Sequence, residues 1–142
     1  MAWEIRFYND GRGEPFRDWL DGLTGKDLPK RLAAIAGIER VLARHGTDVC
    51  ETEWGRNLGK GLYEFRIRHD AKTIRQMFGS AAAAGDNEVS VPAKILLRIF
   101  FTTAEIILLL CGYDKGKDPK ERRQQSEITQ ARRMVADYRR RS

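Results

Sequence analysis

The sequence predicts an α+β fold: an N-terminal strand and a helical hairpin packed on a small, mainly antiparallel sheet, with a C-terminal helix. Three observations predict it. Residues 62–69 alternate apolar and charged side chains with the period of a strand. Residues 15–45 carry two apolar stripes at helical spacing. Residues 119–141 space apolar positions three and four apart among arginines.

Residues 3–8, Trp-Glu-Ile-Arg-Phe-Tyr, alternate and form the first expected strand, broken by Asn-Asp-Gly-Arg-Gly. Pro15 suits a first helical turn, and Phe16, Trp19, Leu20 and Leu23 then make one stripe. A second helix begins near Leu28-Pro29 and is expected to turn Leu32, Ile35, Ile38, Val41 and Leu42 inward, stopping at His45-Gly46. In the strand 62–69, Tyr63, Phe65 and Ile67 point one way, and Glu64, Arg66 and Arg68 the other. Ile95–Phe101 and Glu105–Cys111 are two further strands, joined by Thr102-Thr103-Ala104. Asp118-Pro119-Lys120-Glu121 resembles a helix start with Asp118 as N-cap. Ile128, Ala131, Met134, Val135 and Tyr138 supply the packing stripe that follows. The whole chain, 1–142, reads as a single domain with an inserted loop or hairpin extension at about 71–93, rich in small residues.

Composition narrows the function classes. The chain has 26 basic and 20 acidic residues, a net charge of +6. Eight basic and three acidic residues fall between 119 and 141. Such clustering suits a polyanionic partner, and a solvated helix face accounts for it equally well. The N-terminus has no uninterrupted apolar run of the secretory kind, and the longest apolar run, Ile106–Cys111, is far shorter than the roughly 20 residues of a membrane span. The expectation is a cytoplasmic protein with no membrane partner. Cys50 and Cys111 form no CxxC pair, and no histidine has metal-ligand spacing, so no metal or other cofactor is expected. The two cysteines read as free thiols or as one disulfide. No Walker loop, dinucleotide-binding glycine pattern or Ser-His-Asp set is present.

What remains is the polar content of the strands. Arg66 and Arg68 share a face with Glu64, and Arg98 joins them if its strand lies alongside in register. Lys60 precedes this strand, and Tyr113, Lys115 and Lys117 follow the last one. A cationic patch with aromatic rings suits RNA, because guanidinium and ammonium groups hold phosphate and unpaired bases stack on rings. Salt bridges across a strand face would use the same residues for structure alone. His69 ends the arginine-bearing strand, either as an acid–base group or as an ordinary side chain, and His45 closes a helix. Trp19 belongs to a core stripe, whereas Trp54 lies in the loop before the sheet.

The order of elements carries a resemblance. The strand, the helical hairpin and Gly61-Leu62-Tyr63-Glu64-Phe65-Arg66 are followed by Arg98-Ile99-Phe100-Phe101 and by Leu110-Cys111-Gly112-Tyr113-Asp114-Lys115. Pro119 and a helix with Ala131 and Tyr138 complete the order. Across nearly its whole length the chain resembles the HigB-like, phage-derived branch of the RelE toxin superfamily. The resemblance implies a RelE-like fold and the toxin of a type II toxin–antitoxin pair. Its implied activity is that of a ribosome-dependent mRNA endoribonuclease, or mRNA interferase, in which a ribose 2′-OH attacks the adjacent phosphate. The implied partners are a cognate helix-turn-helix antitoxin, messenger RNA and the ribosome with its rRNA. Arg66 and Arg98 match the positions that hold phosphate, Lys115 the first lysine after the Gly-aromatic pair, and Tyr113 the aromatic position for stacking or orientation. Glu64 matches the acidic position, as general base or as a partner for arginine. Lys60, Arg68, Lys117 and His69 are expected to contact RNA around them. Three departures stand out: the long segment after Ala71, Cys111 where the family has histidine, and Lys115-Gly116-Lys117 where it pairs two lysines. A non-catalytic nucleic-acid-binding module and a ParE-like gyrase poison on the same fold are the alternatives.

Overall fold

A computed structural model describes residues 2–70, 72–74, 76 and 94–142. Its centre is a five-stranded sheet of order β1-β5-β4-β3-β2. The strands are β1 Ile5–Phe7, β2 Gly55–Gly59, β3 Leu62–His69, β4 Ile95–Thr103 and β5 Ile107–Asp114. β1 lies parallel to β5, and the other pairs are antiparallel. The helices are α1 Pro15–Asp21, α2 Leu28–Gly37, α3 Ala43–His45 and α4 Glu121–Arg141, with a π-helical turn Ile38–Leu42 linking α2 to α3. This is the expected α+β architecture. Apart from a helical turn at 72–74, the expected extension at about 71–93 lies outside the described residues.

Strand alternation divides the side chains between two cores. On one face Phe65, Ile67, Ile95, Leu97, Ile99, Phe101, Ile107 and Leu109 meet Phe16, Leu20, Ala33 and Ala34. On the other, Leu62, Phe100, Leu108, Leu110 and Cys111 meet Ala131 and Val135 of α4. Each face is covered by helix, and for that reason β4 and β5 read as nearly continuous apolar runs.

Several boundaries differ from those the sequence predicts. The sequence does not predict β2: Gly-Arg-Asn-Leu-Gly has poor strand propensity and forms because a tight turn folds it onto β3. That turn holds Gly59, Lys60 and Gly61 at φ of 85°, 56° and 81°, and two of these three positions are glycine. β5 starts at Ile107 rather than Glu105, because Glu105 adopts φ 60° and breaks the pairing, and it runs on to Asp114. Leu32 is not on the inner face of α2 but 46% exposed. Pro29, Lys30, Ala33, Ala34 and Gly37 form that face instead, and the small residues bring the helix close to Phe65 and Ile67. Asp118 does not cap α4. Its N–H bonds to the Asp114 carbonyl in the turn leaving β5, and the helix begins three residues after it.

A bulge between Phe100 and Phe101 sets two residues of β5, Leu110 and Cys111, on the same face, toward α4. Gly112 then faces α1, where the Trp19 ring lies so close that an added Cβ would sit 2.8 Å from it. Cys111 is a buried free thiol, and burial pushes its pKa up. The chain ends are tied together: Tyr8 donates to Asp137, and Arg141 donates to Asp137 and to the Asn9 carbonyl. The Arg141 guanidinium and then the Tyr8 hydroxyl hold the Asp137 carboxyl down at about 2.

Two expectations follow. Gly112→Ala forces the indole of Trp19 to move and should cost about 1–3 kcal/mol, an overpacking penalty, read from the urea unfolding midpoint. A carboxyl depressed in the folded state stabilises it above the unfolded value near 4, and that contribution fades as pH falls toward 2. Asp137→Asn should therefore flatten the acid limb of stability between about pH 4 and 2 in a circular-dichroism titration, without changing its neutral shape.

Candidate functional site

Register decides which polar side chains meet. Arg66 lies directly opposite Arg98, and Arg98 lies opposite Tyr113. The three residues form a row across β3, β4 and β5, spanning about 10 Å at ordinary strand spacing. One row closer to the Thr103 end of β4 stand Glu64, Phe100 and Cys111; one row the other way, Arg68 faces Leu96. α4 covers the Glu64 row with Gln124, and its first turn lays Arg123 over Tyr113 in the next row. Arg66 and Arg68 are left at the margin of the helix.

Two arginines directly opposite each other repel. Glu64 resolves this from a completely buried position: its Oε1 accepts from Arg66 Nε at 2.7 Å and lies 3.6 Å from Arg98 Nε. Its Oε2 accepts from Gln124 Nε2 at 2.9 Å. Of the two roles open to Glu64, the geometry displays the pairing with arginine. Both oxygens are engaged, so a general-base role would require this cluster to open.

Arg98 is buried, and its Nε lacks a hydrogen-bond partner among the described residues. Burial draws its pKa below the ordinary guanidinium value, while the Glu64 charge pulls it back up. It stays charged at physiological pH. Tyr113 is 1% exposed, with the Phe100 ring parallel to its own and the Arg123 guanidinium 5.4 Å from its centroid. The expected stacking of a base on Tyr113 has no open ring face here. Its hydroxyl also lacks a partner among the described residues, and burial, then the Glu64 charge, push it up to about 12. Tyr113 is a neutral donor next to Arg98, not a base at neutral pH.

Lys115, half-buried just past β5, completes the cluster. Burial and then the Arg98 charge lower its pKa, with Glu64 opposing them. Arg68 is exposed on the same face of β3. The structure does not bring the other expected residues to this row. Lys60 sits on the β2–β3 turn, six positions along the chain from Arg66, or roughly 20 Å of extended chain. Lys117 is held by Asp27 at 2.7 Å, and Asp27 also meets Lys30, which bridges to Asp114 at 2.6 Å. His69 falls on the opposite face by strand parity, edge-on to Trp54, with burial lowering its pKa. It still lines a depression that Arg66 and Arg68 share.

Sequence reasoning missed Arg123 and Gln124 as members of the site. Arg123 stood out only as one charge among many in a basic stretch, and Gln124 carried no signal. Neither could be placed before it was known that α4 begins beside β5. Chemically, Arg66, Arg68 and Lys115 are accessible to contact a phosphodiester, with the Arg98 charge buried beneath them and the Tyr113 hydroxyl enclosed next to it. Among the described residues no cluster of three or more metal-ligating side chains occurs, and no helix is long and apolar enough to cross a membrane. Comparison with family models and with curated proteins yields no match.

Removing the central charge tests this arrangement. Glu64→Gln leaves buried Arg98 facing Arg66 without a counter-charge and should cost about 3–5 kcal/mol, measured by chemical denaturation. The double change Glu64→Gln with Arg98→Met should recover most of that loss, since it removes the stranded charge as well.

Proposed function

We propose that this protein is an endoribonuclease, the toxin of a type II toxin–antitoxin pair, cutting messenger RNA on the ribosome under the control of a helix-turn-helix antitoxin. One observation carries the reading: Arg66 and Arg98 face each other across two strands at the edge of the area covered by α4, with Lys115 and Arg68 beside them. The resemblance in the order of sequence motifs supplies the rest. In the cleavage step the ribose 2′-oxygen bonds to the adjacent phosphorus and the P–O5′ bond breaks. The 2′-hydroxyl proton passes to water, and the departing 5′-oxygen takes one from water or from Lys115. The products carry a 2′,3′-cyclic phosphate and a 5′-hydroxyl. Arg66 and Arg98 stabilise the charge that grows on the phosphate oxygens, in a site where Glu64 fixes the Arg66 guanidinium by a hydrogen bond and balances the charge of Arg98 before substrate arrives. No resident cofactor is called for.

A second reading has its own support. Glu64 is fully engaged and the Tyr113 hydroxyl is buried, so among the described residues no acid–base group apart from Lys115 is displayed beside the phosphate position. An RNA-binding module without cleavage needs no more than this.

The test is induced expression in bacteria of wild type, Arg66→Ala and Arg98→Ala, following growth and mapping messenger 5′ ends. Growth arrest with new in-frame cuts is expected for wild type, with cleavage lower by about 10²–10³ in each variant, the cost of losing one transition-state donor. Arrest with intact messages and DNA-damage signalling would point to a gyrase poison instead. Harmless expression of folded wild type would favour the binding module.

A further inference from the structure

Beside the arginine row lies a second feature that the cleavage chemistry does not use. A depression of about 260 Å³ is lined by Glu53, Trp54, Arg66, Arg68, Asp70 and Lys94 among others. It exists because β2 is short. After the Arg66 N–H bonds to the Trp54 carbonyl at 2.7 Å, the last part of β3 has no neighbour on that side among the described residues. The volume falls just under the 300–1,000 Å³ of whole small-molecule sites, which suits one nucleotide unit rather than a cofactor.

The lining has the chemistry of a base and its phosphate. Trp54 is half-buried, braced by Phe65 at 5.9 Å and 18° and by His69 edge-on, so its ring is fixed before anything binds. Arg66, Arg68 and Lys94 are cations at the rim. Two carboxylates line it among the described residues, one engaged and one at liberty. Asp70 accepts the Thr73 N–H at 2.8 Å and starts the helical turn at 72–74. Glu53 is exposed and makes no hydrogen bond or ion pair among the described residues.

We infer that this depression holds the base of a nucleotide next to the cleaved phosphate, stacked on Trp54, and that Glu53 selects guanine. This rests on the reading of the arginine row as a phosphodiester site, since Arg66 lines both. A carboxylate accepts two parallel N–H donors, and guanine alone presents two adjacent ones, N1–H and the N2 amino group. Cytosine and adenine set one amino donor beside an acceptor nitrogen that repels the second carboxylate oxygen, and uracil offers one donor between two acceptors. The flanking cations neutralise the phosphate that would otherwise repel Glu53.

The experiment measures binding of fluorescein-labelled 2′-O-methyl RNA pentamers, which cannot be cut, differing only in a central G, A, C or U. Wild type should bind the G pentamer roughly 5- to 150-fold more tightly than the A pentamer, the range of a bidentate base contact. Glu53→Gln, on an exposed side chain, should abolish that preference. Trp54→Ala should weaken every pentamer by a similar factor, the usual effect of losing a stacking ring, with near-ultraviolet circular dichroism confirming its fold. If Arg66→Ala weakens binding while wild type shows no base preference and Glu53→Gln and Trp54→Ala bind as wild type, the phosphodiester site stands and this inference falls. If wild type binds no pentamer, or Arg66→Ala changes nothing, both fall.

Discussion

Two guanidinium groups oppose each other across β3 and β4, and the carboxylate of Glu64 makes that pairing tolerable. The carboxylate has no contact with solvent, so its cost must be offset by good hydrogen bonds on both oxygens. Arg66 and Gln124 provide them. Gln124 stands in the first turns of α4, so the helix position and the arginine geometry are set by the same group. Such a charge cluster adds little to net stability, yet it fixes where each cation points.

The sheet supplies the frame in which that fixing matters. One face is filled by α1 and α2 and is a conventional core. The other is apolar beneath α4 and polar past its end, so a single strand face changes from packing to chemistry within four residues, Leu62 to Arg66. At the far end of β5 the chain from Asp27 through Lys30 and Asp114 to Lys117 anchors the segment that carries Lys115. Lys117 thus contributes to holding its neighbour in place.

Much of the fold was legible because its signals are local. The alternation of Leu62–His69 states strand period directly, the short apolar runs at Ile95 and Ile107 have the length and composition of strands buried on both faces, and the stripe from Ile128 to Tyr138 states the inner face of α4. β2 was illegible because Gly-Arg-Asn-Leu-Gly is a strand only by virtue of its partner. Helical period gives a stripe but not which small residues define its centre, and Leu32 therefore reads as inward although it is exposed. In the site, the grouping of Glu64, Arg66 and Arg98 could be read from parity and the assumption of adjacent strands. The separation of Lys60, the capture of Lys117 by Asp27 and the closed ring of Tyr113 depend on tertiary neighbours that no short motif encodes.

The bulge in β5 has a consequence of its own. Because Leu110 and Cys111 together occupy the place of one residue, every position after them is shifted in phase, and Tyr113 and Lys115 share a side with the even-numbered Arg98. Were the same residues paired regularly, with no bulge, Gly112 and Asp114 would occupy that side, and the tyrosine and lysine would be driven against the helices α1 and α2. The composition of the site is therefore a matter of counting as much as of chemistry. Residues 108–111 can exchange one apolar side chain for another with modest effect, and losing one of them would only heal the bulge and leave Tyr113 opposite Arg98, whereas losing Gly112 would turn all that follows to the other side. The bulge is thus the one place in β5 where a change of length leaves the site composition intact.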